Sequence, residues 1–206
     1  MESEVDCHAR RSSLPIIYYH FPQVSDIWLN PEQLIALMEI DNVVGIKDSS
    51  LNNYAAKKVL ASGRCDNYFT ALSLFLPRLF SHGARRAICP LAAVHPSSAY
   101  NLYQACDENT SGLESSAEFR SLLELLPIVS NPTKSTDTLW RLLKLASSLP
   151  YPVLKAAASP HSASKEALKL QGIPIQSTVR APLPEITLNA SNAIKMALQR
   201  AGISVV

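Results

Sequence analysis

No apolar run among the 206 residues reaches the roughly 18 to 20 needed to span a bilayer. The opening MESEVDCHARRSS has no apolar core of a signal peptide, so a soluble, cytoplasmic protein is expected. Cysteine is scarce. The four thiols, at 7, 65, 89 and 106, show no CxxC spacing, and the lone Cys7–His8 neighbour pair has no further ligand spaced with it, so they support neither a zinc site nor a secreted disulfide framework and reduced thiols are expected. The histidines at 8, 20, 82, 95 and 161 have no partner among themselves three or four positions away, so no metal is expected. Charge of one sign is also missing: 19 Lys and Arg stand against 17 Asp and Glu, and that balance argues against nucleic acid or an anionic membrane as partner. Glycine is short as well, with six residues, about 3% where roughly 7% is usual.

What is present is an ordinary globular composition. Apolar residues make up 47% and charged residues 17%, enough to bury a sizeable core in one domain. LPIIYYHFP, residues 14–22, reads as a strand buried on both faces and closed by Pro22. Asn30, Pro31 and Glu32 then open a helix whose apolar face is Leu34, Ile35, Leu37 and Met38. NVVGIKDSS, 42–50, is a second strand, and a helix over 52–61 ends at Gly63. The pattern recurs in DNYFTAL, 66–72, with a helix over 75–82, and in RRAICPLAAV, 85–94, with a helix around Tyr100, Leu102 and Tyr103. Four strand–helix alternations imply an α/β fold with parallel strands and right-handed crossovers. Beyond Ser97 the chain turns helical over 115–126, 135–148, 162–171 and 189–201, with a Pro- and Ser-rich loop running from 150 to 164.

Two residues invite a chemical reading. Lys47 follows Val43, Val44, Gly45 and Ile46 near the end of the second strand. Burying an ammonium disfavours its charge, and a lysine with more free amine can condense with a ketone; in parallel barrels, catalytic groups converge at strand ends. Alternatively, the strand stops at Ile46 and the lysine reaches out to solvent. Tyr19 holds the matching place one strand earlier, where its phenol can exchange protons with a substrate or simply fill a barrel. His20 alternates to the other side of the strand and reads as packing or support.

Together, Tyr-x-x-Pro at 19–22 and Gly-Ile-Lys-Asp at 45–48, with 28 residues from Tyr19 to Lys47, resemble the dihydrodipicolinate synthase and N-acetylneuraminate lyase family. Its members are class I aldolases and lyases on a (β/α)8 barrel. The resemblance implies that Lys47 forms a Schiff base with pyruvate or another 2-keto acid, that Tyr19 relays protons, and that no cofactor is needed. LPRLFSHGARRAICPLAAVHP, 76–96, resembles the seventh helix and eighth strand, which implies that the main chain at Ile88 lies against bound pyruvate. KEALKLQGI, 165–173, and VRAPLPEIT, 179–187, resemble the family's C-terminal pattern. YYHFP is closer to the lyases and GIKDSS to the synthases and keto-acid aldolases.

The chain also departs from the pattern. Val24, preceded by Gln23, stands where synthases carry an arginine, and Ala93 stands where an asparagine is usual near the end of strand eight. The glycine and acidic residue usual after strand seven are replaced around Thr70 to Leu72. The first four strand–helix units, with their glycine-bearing carboxylate loop, have no counterpart, which accounts for part of the glycine shortage. The expectation is therefore a partial (β/α)8 barrel, strands five to eight, in residues 14–106, a helical extension in 107–206, and a disordered or mis-started N-terminus in 1–13. Such a chain is expected to be truncated and impaired alone. Four strands cannot close the barrel, so Ile17 and Val44 would meet water and the edges would favour a homo-oligomer. The competing expectation is a non-catalytic remnant or interaction module that associates through those open edges.

Overall fold

The computed structural model describes residues 9, 11–65, 67–108, 111–129, 135–150 and 160–206. Cys7, His8 and most of the expected N-terminal segment lie outside the described residues, as do residues 151–159 of the expected loop. Two compact units divide the chain, Met1–Ile88 with Leu145–Lys155, and Cys89–Lys144 with Ala156–Val206.

In the first unit the β-branched and aromatic residues become strands. β1 (Ile16–His20), β2 (Val43–Asp48), β3 (Tyr68–Thr70) and β4 (Arg86–Ala87) form one parallel sheet in that order. Tyr19 pairs with Lys47, Lys47 with Phe69, and Phe69 with Arg86, so these four share one rung. His20, Asp48, Thr70 and Ala87 form the next. Asn42 anchors the entry to β2: its side-chain amide donates to the carbonyls of Ala9, Ser12 and Leu14 at 3.3, 3.1 and 2.8 Å.

Short helices connect the strands. α1 (Pro22–Ser25) begins directly after β1, and α2 (Pro31–Leu37) is held by a capping box in which Asn30 accepts from the Gln33 N–H and Gln33 accepts from that of Asn30. α3 (Asn53–Ala61) is capped by Asn52 and ends before Gly63 at φ 67°. A 3₁₀ turn, Ser73–Phe75, leads into α4 (Leu76–Phe80). Leu34, Ile46, Val59, Leu74, Phe75 and Leu79 are all buried.

Two strand expectations are corrected here. β1 is not buried on both faces: Ile17 and Tyr19 are 45% and 49% exposed, and on β2 Val44 is 41% exposed. The four strands form an open sheet and not a closed barrel, and these side chains meet solvent. The expected strand over 85–94 also stops early, because Cys89 is the last extended residue and Pro90 opens α5 (Pro90–Val94). Proline has no N–H for a ladder and its fixed φ suits a first helical turn.

The second unit is helical among the described residues. α5 is followed by α6 (Pro96–Asp107), α7 (Ala117–Glu124), α8 (Thr136–Ser147, whose last three residues belong to the first unit), α9 (His161–Leu170) and α10 (Leu188–Arg200). α9 begins immediately after Pro160, so residues 161–164 of the expected loop are helix. Phe119 meets Trp140 edge-on at 5.4 Å, and Leu122, Leu125, Ile128 and Leu198 are buried. Ser191 donates to Glu166 at 2.6 Å and Arg200 to Glu124 at 2.7 Å, tying α10 to α9 and to α7.

Candidate active site

Parallel pairing places the C-terminal ends of β1 and β2 side by side, and side-chain alternation separates two sets of residues there. On the open face, the Lys47 ammonium lies over the Tyr19 ring, 3.7 Å from its centroid. The Ser49 hydroxyl donates to the Tyr19 phenol at 3.3 Å. Lys47 is half-buried and Ser49 buried, whereas Tyr19 is exposed. A primary amine, an ionisable phenol and a hydroxyl thus stand together, the amine over the ring face and the hydroxyl at the phenol oxygen. An amine can add to a carbonyl, and a phenol beside it can give and take the protons that such an addition requires.

On the other face the same strand ends carry a buried polar cluster. Asp48 accepts from His20 Nδ1 at 3.2 Å, from the Tyr68 hydroxyl at 2.5 Å and from the Ser50 N–H at 2.8 Å. An ionised carboxylate only accepts, so the imidazole hydrogen of this bond lies on Nδ1. Burial pushes the Asp48 carboxyl up. The His20 bond and charge, then the bonds from Tyr68 and Ser50, outweigh burial and hold the carboxyl below its ordinary value. Burial and the Asp48 charge keep the Tyr68 phenol well above its own.

The structure brings Lys47 and Tyr19 together. Ile88 lies just beyond β4 on the same sheet, 51% exposed, with its N–H bonded to the Thr70 carbonyl at 3.0 Å. Val24 is exposed, and Ala93, expected near the end of a strand, belongs to helix α5. Ser49, Asp48 and Tyr68 were given no role by the sequence. The signal for Asp48 was nevertheless there: one residue after Lys47 in a strand, it must face the opposite side, where a carboxylate needs donors. Among the described residues, no group of three or more His, Cys, Asp or Glu is placed to hold a metal ion, and no helix is long and apolar enough to cross a membrane.

Known proteins resemble this chain over most of its length. The model of the dihydrodipicolinate synthetase family matches residues 5–147. A 4-hydroxy-tetrahydrodipicolinate synthase of Archaeoglobus fulgidus is 30% identical over 168 residues, covering 78% of this chain and 57% of that protein. Another from Nostoc is 27% identical over 188 residues, covering 90% of this chain and 54% of its own. The chain therefore spans about half the length of these curated relatives. Among solved structures, the chloride-inhibited dihydrodipicolinate synthase of Acinetobacter baumannii complexed with pyruvate superimposes with a TM-score of 0.68 at 20% identity, covering 97% of this chain and 59% of that one. A prophage protein of the dihydrodipicolinic acid synthase family from E. coli K12, also in complex with pyruvate, gives 0.68 at 18% identity, covering 95% and 59%. These likenesses show an α/β fold similar to the synthase barrels, here with a four-stranded parallel sheet. With a family match that takes in the whole sheet and the Lys47–Tyr19 pair, the chain belongs to the dihydrodipicolinate synthetase family.

Proposed function

We propose that this chain carries the covalent half of a pyruvate-type class I aldolase or lyase, with Lys47 as nucleophile and Tyr19 as acid and base. The observation that carries the reading is the stacked Lys47–Tyr19 pair at the ends of adjacent parallel strands, its phenol bonded to Ser49. The free amine of Lys47 adds to the keto carbon of pyruvate or a related 2-keto acid, and the carbonyl oxygen takes a proton from the Tyr19 phenol. The adding nitrogen returns a proton to the Tyr19 phenolate, the phenol passes it on to that oxygen, which leaves as water, and an iminium remains on Nζ. The iminium acidifies the neighbouring methyl group, whose proton passes to the Tyr19 phenolate to give an enamine. Enamine carbon attacks an aldehyde in the synthetic direction or is released from one in cleavage, and water finally restores the amine. Covalent catalysis of this kind needs no cofactor.

In this reading β1 to β4 correspond to barrel strands five to eight within residues 14–106, 107–206 form the helical extension, and the main chain at Ile88 lies along the bound keto acid. The pyruvate in the Acinetobacter and E. coli structures supports the substrate class. Borohydride added with pyruvate should leave a reduced pyruvate adduct on Lys47, read by peptide mass spectrometry. A chain that traps nothing there sinks the proposal. For the 206 residues alone we expect trapping with little turnover, because the units that orient the carboxylate in the family are absent and orientation is worth several kcal/mol of barrier.

A second reading is favoured by the exposed Ile17, Val44 and Ile88. Apolar side chains on an open sheet mark an association surface, and a non-catalytic module or a homo-oligomer would cover them with a second copy. Size-exclusion chromatography that finds a folded monomer at all concentrations rejects it.

A further inference from the structure

The residue after each reacting group faces the opposite side of the sheet, and there the two successors bond to each other. Tyr19 precedes His20 on β1 and Lys47 precedes Asp48 on β2; Tyr19 pairs in register with Lys47 as His20 does with Asp48. Tyr68 reaches the same carboxylate from β3. Three strands are therefore pinned through one buried oxygen pair: His20 and Asp48 share the rung beyond the one that carries the amine and the phenol, and Tyr68, the first residue of β3, sits in register with Ile46 on the rung before it. A slip of one residue in such a sheet turns every side chain to the other face. The backbone adds bonds at this level from the Ser49 N–H to the His20 carbonyl at 2.8 Å and from the Ala71 N–H to the Asp48 carbonyl at 3.0 Å.

Stability alone is a poor account of this cluster. Replacing a buried polar or charged set with packed apolar side chains is often neutral or stabilising. This pair also keeps the His20 Nε2 buried without a hydrogen-bond partner among the described residues, a cost that apolar packing would avoid. What the polar set supplies is direction: a carboxylate that accepts from an imidazole, a phenol and a main-chain N–H fixes where each of them lies.

We propose that His20, Asp48 and Tyr68 are positioning residues for the lysine and tyrosine on the far face, holding the ends of β1 and β2 and the start of β3 in the one register that stacks Lys47 on Tyr19. The inference rests on the aldolase reading and adds to it residues that touch no substrate. Their effect passes through the backbone of the two adjoining residues. Because the cluster orients the pair and does not build the pocket, it acts on the rate of condensation and leaves the concentration of keto acid needed unchanged.

The test uses the full 206-residue chain, pyruvate and borohydride, with the growth of the reduced adduct on Lys47 followed against pyruvate concentration. Asp48→Asn keeps the shape and removes the charge, and Tyr68→Phe removes a single oxygen from a ring that stays packed. Each variant is expected to lower the maximal trapping rate about tenfold, with the half-saturating pyruvate concentration within about twofold of the parent and near-ultraviolet circular dichroism retained. Trapping at the parent rate in both variants, whatever their melting temperatures, overturns the inference and leaves the aldolase reading standing. So does a loss confined to the half-saturating concentration. Unfolding of both variants assigns the cluster to stability and overturns it as well. A parent chain that traps no pyruvate on Lys47 overturns the aldolase reading and this inference with it.

Discussion

The Lys47 ammonium sits on the face of the Tyr19 ring at 3.7 Å, while the hydroxyl of that ring is bonded to Ser49. Ring and hydroxyl therefore serve different partners, and substitutions can separate them. Such a cation–ring contact is worth about 0.5–2 kcal/mol, depending on how far it is desolvated.

Lys47→Arg keeps a cation able to lie over the ring but has no amine to condense with a ketone. The expected outcome is a chain that melts as the parent does and forms no reduced adduct with pyruvate. Tyr19→Phe keeps the ring and removes the proton donor. Its adduct should reach the parent's final extent about 10²-fold more slowly, the low end of what a positioned acid or base contributes. A time course of trapped mass reads both variants, and an unchanged rate in Tyr19→Phe would remove the phenol from the chemistry.

Gly45 has no room for a side chain. A Cβ built there would lie 2.4 Å from the Asn67 carbonyl oxygen and 2.6 Å from its Cβ, and that oxygen accepts from the Ile46 N–H at 3.0 Å. Gly45→Ala must push β2 off the segment leading into β3. We expect a loss of about 1–3 kcal/mol, the usual range for overpacking, measured by urea unfolding, with a parallel fall in trapping because Lys47 lies two residues on. An alanine variant of parent stability would mean that the backbone accommodates it.

Periodicity and punctuation made much of this fold legible. The helices over 135–148, 162–171 and 189–201 appear within one residue of those bounds, since amphipathic spacing and caps such as Thr187 act locally. Tyr19 and Lys47 were singled out by the resemblance that their two motifs carry, and the register of β1 and β2 sets them side by side. The split at Pro90 was harder: RRAICPLAAV is apolar throughout, and a short apolar run suits strand or helix equally until the proline is given its place. The exposure of Ile17 was foreseeable only from the sheet's failure to close, since its apolar sequence context is that of a buried strand. Tyr68 was not legible as a partner of Asp48, because their bond joins residues 20 apart through a tertiary register that no local pattern carries.

Val44 is exposed although its neighbours Val43, Gly45 and Ile46 are buried. Lysine placed there meets water and carries charge onto an open sheet, a device that discourages sheet-to-sheet association. Val44→Lys should leave the unfolding free energy within about 0.5 kcal/mol and shift sedimentation toward the monomer at concentrations where the parent associates. An unchanged distribution would place the contact elsewhere.

The Asp48 cluster contributes to the acid limb of stability. Folding lowers this carboxyl below its ordinary value, so between the unfolded value, near 3.9, and the lower folded one, the unfolded chain binds more protons. The contribution is complete above about pH 4 and is lost as pH falls through the folded value. Tyr68 has the opposite sign. Its phenol is raised by folding, so its contribution is complete below about pH 10 and is lost as pH rises toward the folded value. Urea unfolding across pH should therefore show the advantage of the parent over Asp48→Asn narrowing steadily below about pH 4, and Tyr68→Phe should show a shallower alkaline decline than the parent above about pH 10. A gap between parent and Asp48→Asn that holds constant down to pH 2 would mean that the carboxylate is not ionised in the folded chain, and the three donors around it would need another acceptor.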